Sequence, residues 1–278
     1  MVDIYGSHFE YGGCTSRQYR LIIANVSTER FAKSYGDLGS VTIFNKRNVK
    51  RYLVDNDYSD APLSFDVEFV TDNDMCIPWY DVRRVEKWLF NNNVYKKLYI
   101  DILDDIHSET LEYDGGNSAK RLYLNCRFIN PERIECDGGV LGYKATLEAD
   151  SHLWWQDITE RSFEVNNLAA DSHSMVKVDV DTDYTGFTYP EVKILTGSLG
   201  GTVFLSNYDD DSTRLTQFTN LPADTEITLN GEYNYISGQY FNNFYKQNFP
   251  RLLNGENSIY VDGNIVGLTF KFNNRRLL

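Results

Sequence analysis

Cysteine, histidine and proline are scarce in this chain: four, four and six residues among 278. Cys14, Cys76, Cys126 and Cys136 form no CxxC pair, which excludes a zinc knuckle or a dithiol redox motif and predicts free, reduced, partly buried thiols. His8, His107, His152 and His173 fall in separate segments, and none stands four residues from a second ligand on a helix, so the usual metallohydrolase pattern is missing. No G-x-S-x-G elbow, phosphate-binding loop or dinucleotide fingerprint occurs, and the doublets Gly12, Gly13 and Gly200, Gly201 read as turns. No apolar run approaches the roughly 20 residues of a membrane span. Met1 leads into polar, strand-like sequence without a signal-peptide core, so folding in a cytoplasm without membrane insertion is expected.

Positive charge is also short. Forty acidic side chains stand against 27 basic ones, a formal charge of −13, which opposes binding to nucleic acid by phosphate neutralisation. The imbalance is spread evenly: 18 basic and 24 acidic residues up to residue 150 give −6, and 9 and 16 beyond it give −7. What is plentiful is apolar and aromatic residues, at 42% and 14%, enough for two cores in a chain of this length.

One segment has helical period. Pro78 suits a first helical turn, Val82, Val85, Trp88 and Leu89 recur at three- and four-residue spacing, Arg83, Arg84, Glu86 and Lys87 fall on the other face, and Asn91 to Asn93 end the helix. Elsewhere β-branched and aromatic runs separated by Gly, Asp and Asn predict strands at 19–26, 63–70, 94–103, 121–129 and 141–149, with a polar arm over 104–120. The strand pattern lapses between Asp150 and Asn167, so a boundary is placed near 152, giving domains 1–152 and 153–278. Short strands at 175–180, 189–195, 202–206, 213–218, 226–229 and 233–237 follow and predict a β-sandwich. Ile259 and Val261, the Asp262, Gly263 pair, and Ile265 to Phe272 read as a closing hairpin.

Candidate sites are few. Asp179, Asp181 and Asp183 alternate off one strand face and Asp209, Asp210 and Asp211 share a turn; both sets read as solvated acidic surface, because alternate strand side chains stand ~6.5 Å apart and the EF-hand spacing is missing. No metal, cofactor or catalytic residue is therefore assigned. Trp154, Trp155, Tyr233 and Tyr235, with Tyr240 and Tyr245, are the rings a sugar-binding module would stack on, although adjacent tryptophans of a strand point to opposite faces. They carry an alternative reading, a stand-alone carbohydrate-binding β-sandwich.

Several stretches resemble one family. Phe249-Pro-Arg-Leu-Leu, the Asn254-Gly-x-Asn turn and the finish at Phe272 resemble the C-terminal end of distal tail proteins of long-tailed bacteriophages. Tyr19 to Asn25 is similar to the family's opening strand, Val85 to Leu89 to its helix ending in Trp-Leu, Leu122 to Pro131 and Gly142 to Ala149 to the strands at its first-domain end, and Tyr189 to Lys193 to the strand opening its second sandwich. With Leu221 to Leu229 in the expected order, the resemblance spans nearly the whole chain.

It implies a mainly β, non-enzymatic protein. An N-terminal antiparallel domain with one helix and a projecting arm would form a homohexameric ring, and a C-terminal galectin-like sandwich would sit outside it. The implied partners are the tail tube protein, the tape-measure protein, and a tail-associated lysin or receptor-binding protein. The implied place is the virion tail tip, after synthesis in the bacterial host cytoplasm, with DNA passing through the ring. No room remains after the boundary for the large inserted carbohydrate-binding modules that many family members carry. The segment 32–48 has few glycines and prolines for the family's first loop.

Overall fold

The structure is a computed structural model that describes residues 6–26, 38–44, 52–58, 62–73, 75–91, 94–101, 121–136, 138–169, 172–210 and 214–276. The arm over 104–120, His107, Asp211 and most of the segment 32–48 lie outside them. The chain divides into two compact units, Met1–Trp155 and Gln156–Leu277. It is mainly β, with antiparallel sheets and one α-helix among the described residues.

In the first unit come β1 (Phe9–Tyr11), β2 (Cys14–Thr15), β3 (Leu21–Val26), β4 (Leu38–Phe44), β5 (Tyr52–Tyr58), β6 (Ser64–Thr71), α1 (Trp79–Leu89), β7 (Lys96–Ile100), β8 (Leu122–Cys136) and β9 (Gly139–Ala149); β10 (Trp154–Gln156) crosses the boundary. The main sheet runs β2-β1-β7-β8-β9-β6-β3, and β4 and β5 form a ladder of their own. Ser7, just ahead of β1, bridges Ile23 of β3, with Gly6 N–H donating to Ile23 O at 2.8 Å and Ile23 N–H to Ser7 O at 3.0 Å. The sheet therefore curls until the segment ahead of β1 meets β3, and the face it encloses becomes a core.

Rings fill that core. Tyr19, Trp88, Phe9, Phe69, Phe128 and Tyr11 form a continuous series with centroids 4.8 to 5.7 Å apart, in offset and edge contacts that add to the area they bury. The helix supplies part of the cover as the sequence predicts. Val82, Val85 and Leu89 are buried, and Trp88 turns sideways to stack on Phe9 and donate from Nε1 to Tyr11 O at 2.8 Å.

Two sequence expectations change in this unit. Asn130 and Pro131 were expected to end a strand, but β8 continues to Cys136 through a register shift between Ile129 and Glu132. A bulge absorbs both residues: Asn130 takes φ +52, and Pro131 sits where no ladder donor is required. The region 150–167, read as strandless, contains β10 and then β11 (Thr159–Glu164).

The second unit continues with β12 (His173–Val180), β13 (Glu191–Thr196), β14 (Gly201–Asn207), β15 (Leu215–Leu221), β16 (Glu226–Asn230), β17 (Tyr235–Ile236), β18 (Phe244–Gln247), β19 (Gly255–Asp262), β20 (Ile265–Phe272) and β21 (Arg275–Arg276). Two five-stranded sheets, β11-β20-β13-β16-β17 and β12-β19-β14-β15-β18, send alternate side chains into one core. Val192, Ile194, Leu229, Leu268 and Phe270 come from the first sheet, and Val178, Val203, Leu205, Phe218, Ile259 and Val261 from the second. This is a β-sandwich, compatible with the galectin-like expectation.

The expected closing hairpin is not one. β19 pairs with β12 and β14, whereas β20 pairs with β11 and β13, so the Asp262, Gly263 turn carries the chain from one sheet to the other. The period of two is read correctly, since Val261 and Ile265 both end in the core, but alternation cannot say whether the next strand lies beside or opposite. Gly263 is required at the corner: φ is +100, and a Cβ there would run into the carbonyl oxygen of Thr202. Asn264, 1% exposed, holds the corner from inside; its Oδ1 accepts from Leu199 N–H at 2.8 Å and Gly200 N–H at 3.2 Å while its Nδ2 donates to Asn167 O at 2.9 Å.

Candidate functional site

Ser16, His8 and Asp72 come nearest to a catalytic constellation. Ser16 Oγ lies 3.4 Å from His8 Nδ1, and His8 Nε2 lies 3.9 Å from Asp72. The chemistry of a nucleophile does not follow. Ser16 is fully buried and its oxygen accepts from Phe9 N–H at 2.9 Å, while His8 Nδ1 is 3.0 Å from Leu21 O. The cluster ties β1 to β3 and the turn between them, with no exposed hydroxyl to attack a substrate. Among the described residues no three His, Cys, Asp or Glu side chains gather as a metal would require, and no helix is long and apolar enough to cross a membrane.

The acidic stretches separate. Asp179, Asp181 and Asp183 are exposed as expected, and Asp181 takes both guanidinium nitrogens of Arg276, at 2.9 and 2.6 Å. The Arg276 partner holds the Asp181 carboxyl below the usual carboxylate range. Asp210 overturns its expectation. It is buried, and Arg251 of the Phe-Pro-Arg-Leu-Leu stretch grips both its oxygens at 2.6 and 2.8 Å. The guanidinium also stacks on Phe187, 3.5 Å from the ring centroid. Asp209 caps Ser258 N–H of β19. The turn at 207–210 is thus an internal latch, which a run of three aspartates does not announce.

The rings proposed for stacking on a sugar do not act alike. Trp154 is 3% exposed and belongs to the first core, so it offers no face to a ligand; burial of a large apolar ring outweighs any surface role. Trp155 is half-buried. Tyr233 and Tyr235 are 75% and 54% exposed at the β16 to β17 turn, where the Asn230 side chain caps the N–H groups of Glu232 and Tyr233. Phe241 and Tyr245 are also exposed.

A second apolar surface was not foreseen. Met75, Trp79 and Tyr80 stand exposed at the start of α1, and Val94 and Tyr95 beyond its end. Tyr80 lies roughly opposite the buried stripe of Val82, Val85 and Leu89 at 100° per residue. Large rings outside the apolar stripe are the signal that was available in the sequence. Such residues become an association surface where they join into a contiguous patch. Cations on the same unit are engaged: Arg133 with Glu86 at 2.7 Å, Arg127 with Glu148 at 2.7 Å and Arg121 with Glu10 at 2.9 Å.

These features describe a protein of surfaces and latches. Residues 4–151 match the family model of a phage tail protein N-terminal domain, and residues 155–272 that of a phage tail C-terminal domain. The chain belongs to this family of phage tail proteins. No curated protein matches its sequence. Its fold is similar to the crystal structure of Dit (gp 19.1) from phage SPP1, described as a paradigm of the hub adsorption apparatus in phages infecting Gram-positive hosts. The TM-score is 0.60 at 9% identity, over 98% of this chain and 99% of that one. A chain of the phage P2 baseplate in its activated conformation is similar at a TM-score of 0.46 and 10% identity, over 99% of each chain. The similarity to Dit extends over both units of this phage tail protein.

Proposed function

We propose that this phage tail protein is a distal tail protein, a non-enzymatic hub whose first units close as six copies into a ring and whose second units lie outside it. The ring joins the tail tube and the tape-measure protein to a tail-associated lysin or receptor-binding protein at the virion tail tip. The observation that carries the reading is the fold shared with SPP1 Dit over 98% of the chain and 99% of that chain. The exposed rings at the start of α1 supply an apolar surface for a neighbouring copy. Charge supports the passage of DNA through such a ring: six copies carry 6 × −13 = −78, a field that repels phosphate.

Light scattering and negative-stain imaging test the ring, on the chain alone and coexpressed with its tail tube protein. A six-fold particle of six 32.1 kDa copies is expected, and a monomer under both conditions overturns it. Retention of duplex DNA by the ring at moderate salt would remove the charge argument.

A second reading, carbohydrate binding by the sandwich, is favoured only by the exposure of Tyr233, Tyr235, Phe241 and Tyr245. Glycan-array binding that Tyr233→Ala and Tyr235→Ala abolish would support it.

A further inference from the structure

We propose that Cys76 and Cys136 are a disulfide-forming site, closed within one copy of the chain when the protein meets hydrogen peroxide. The two residues are 60 positions apart and nothing in their spacing announces a pair, yet their Sγ atoms lie 3.2 Å apart. A disulfide needs about 2.0 Å between sulfurs, so the remaining approach is on the order of 1 Å, within reach of side-chain rotation.

The backbone on both sides is already in position. Ile77 N–H donates to Val140 O at 2.7 Å, holding the segment that leads into α1 against β9. Cys136 ends β8 in register with Gly139 of β9. Two glycines, Gly138 and Gly139, stand against Cys76. A Cβ on Gly139 would sit 3.3 Å from Cys76 Cβ, and one on Gly138 3.8 Å from Cys76 Sγ. Gly139 also holds φ +148, which side chains rarely adopt. Access favours the pair as well, since Cys136 is exposed and Cys76 half-buried, whereas Cys126 is fully buried.

The step balances without a metal or cofactor. The exposed Cys136 attacks peroxide as thiolate; an S–O bond forms, the O–O bond breaks, and hydroxide leaves to take up a proton as water. Cys76 then attacks the sulfenic sulfur, the S–S bond forms, the S–O bond breaks, and a second water departs with the thiol proton. Two thiols lose two electrons and one peroxide gains them. The hydrogen bond between the two thiols, with burial, raises Cys76 above its ordinary range, so Cys76 keeps its proton while Cys136 meets the peroxide and gives it up only as the S–S bond forms. The bond staples the entry to α1, next to the exposed Trp79 and Tyr80, onto the tip of the β8–β9 hairpin. A tail protein made in a reducing cell and released from it would meet the oxidant only outside; that setting rests on the function proposed above, and the bond itself does not.

The full-length chain, reduced and freed of reductant, is treated with one equivalent of hydrogen peroxide, then denatured for thiol titration and mapped by mass spectrometry. Two of the four thiols are expected to disappear. The product should be about 2 Da lighter, with a Cys76–Cys136 linked peptide and a single-chain band on a non-reducing gel. The oxidised form should melt roughly 4–10 °C above the reduced form, and Cys136→Ser, at an exposed position, should abolish the difference while keeping the reduced melting point. Four thiols still titrating, a bond to Cys14 or Cys126, a link between two chains, or sulfinic acid at Cys136 would each overturn the proposal. The ring test reports on the function independently, since a hexamer without the bond rejects only the bond.

Discussion

The two units enclose their cores by different means. The first rolls one sheet until Ser7 meets Ile23 and packs it with rings, finishing the cover with a single helix. The second sets two sheets face to face over Val, Ile, Leu and Phe, and adds buried asparagines and the Asp210–Arg251 ion pair at its corners. The sandwich then depends on polar latches because its chain must cross between sheets, and each crossing leaves backbone groups that need partners.

The largest test of this contrast is the ring series of the first unit. Phe69→Ala should cost the first unit about 3–5 kcal/mol. Calorimetry of the full chain should show the first unit's transition moving down while that of the second stays. A shift of both together would show that the units do not unfold separately.

Asp210→Ala is the counterpart in the second unit. It leaves the half-buried Arg251 guanidinium without its carboxylate, a loss of about 2–3 kcal/mol, and urea unfolding should show it in the second unit's transition. Asp210→Ala combined with Arg251→Met should recover much of that loss; failure to recover would mean the pair does more than satisfy itself.

Asn264→Ala removes one acceptor for two N–H groups and one donor. A loss of about 2 kcal/mol is expected, with faster amide exchange at Leu199 and Gly200 as the site-specific readout. Trp88→Phe keeps an aromatic ring over Phe9 but deletes the hydrogen bond to Tyr11 O, and about 1 kcal/mol is expected from chemical denaturation.

The smallest effect belongs to the exposed pair Asp181 and Arg276. The folded carboxyl titrates below its unfolded value, so its contribution is present above the unfolded pKa and fades as pH falls through the folded one. Because Asp181 is largely exposed, solvent screening limits the pair to about 0.5 kcal/mol. Asp181→Asn should therefore differ from the parent at neutral pH and converge with it in strong acid. A difference that persists there would assign the effect to something other than charge.

Much of this was legible in the sequence because it depends on period. The stripe at Val82, Val85 and Leu89 identified α1, and alternation identified the inward residues of β12, β19 and β20. The family resemblance rested on the order of such segments and is carried by the match over residues 4–151 and 155–272. Asp210 failed because its burial depends on Arg251, 41 positions away. Which of Trp154 and Trp155 packs inward was open in the sequence, because an aromatic residue near a domain boundary has the same pattern whether it caps a core or faces solvent. β10 and β11 were missed because their polar residues break the alternation that marks longer strands.

By itself the sequence determined the secondary-structure types, the two-part organisation of apolar segments, the acidic balance and the absence of known catalytic motifs, all of which depend on neighbours within a few residues. The tertiary structure decided which sheet each strand joined, that Gly263 turns a corner where a hairpin was expected, that Asp210 has a buried partner, and that Cys76 meets Cys136. Those outcomes follow from close packing between distant segments, where a contact is fixed by the shape of the whole core and leaves no periodic trace along the chain.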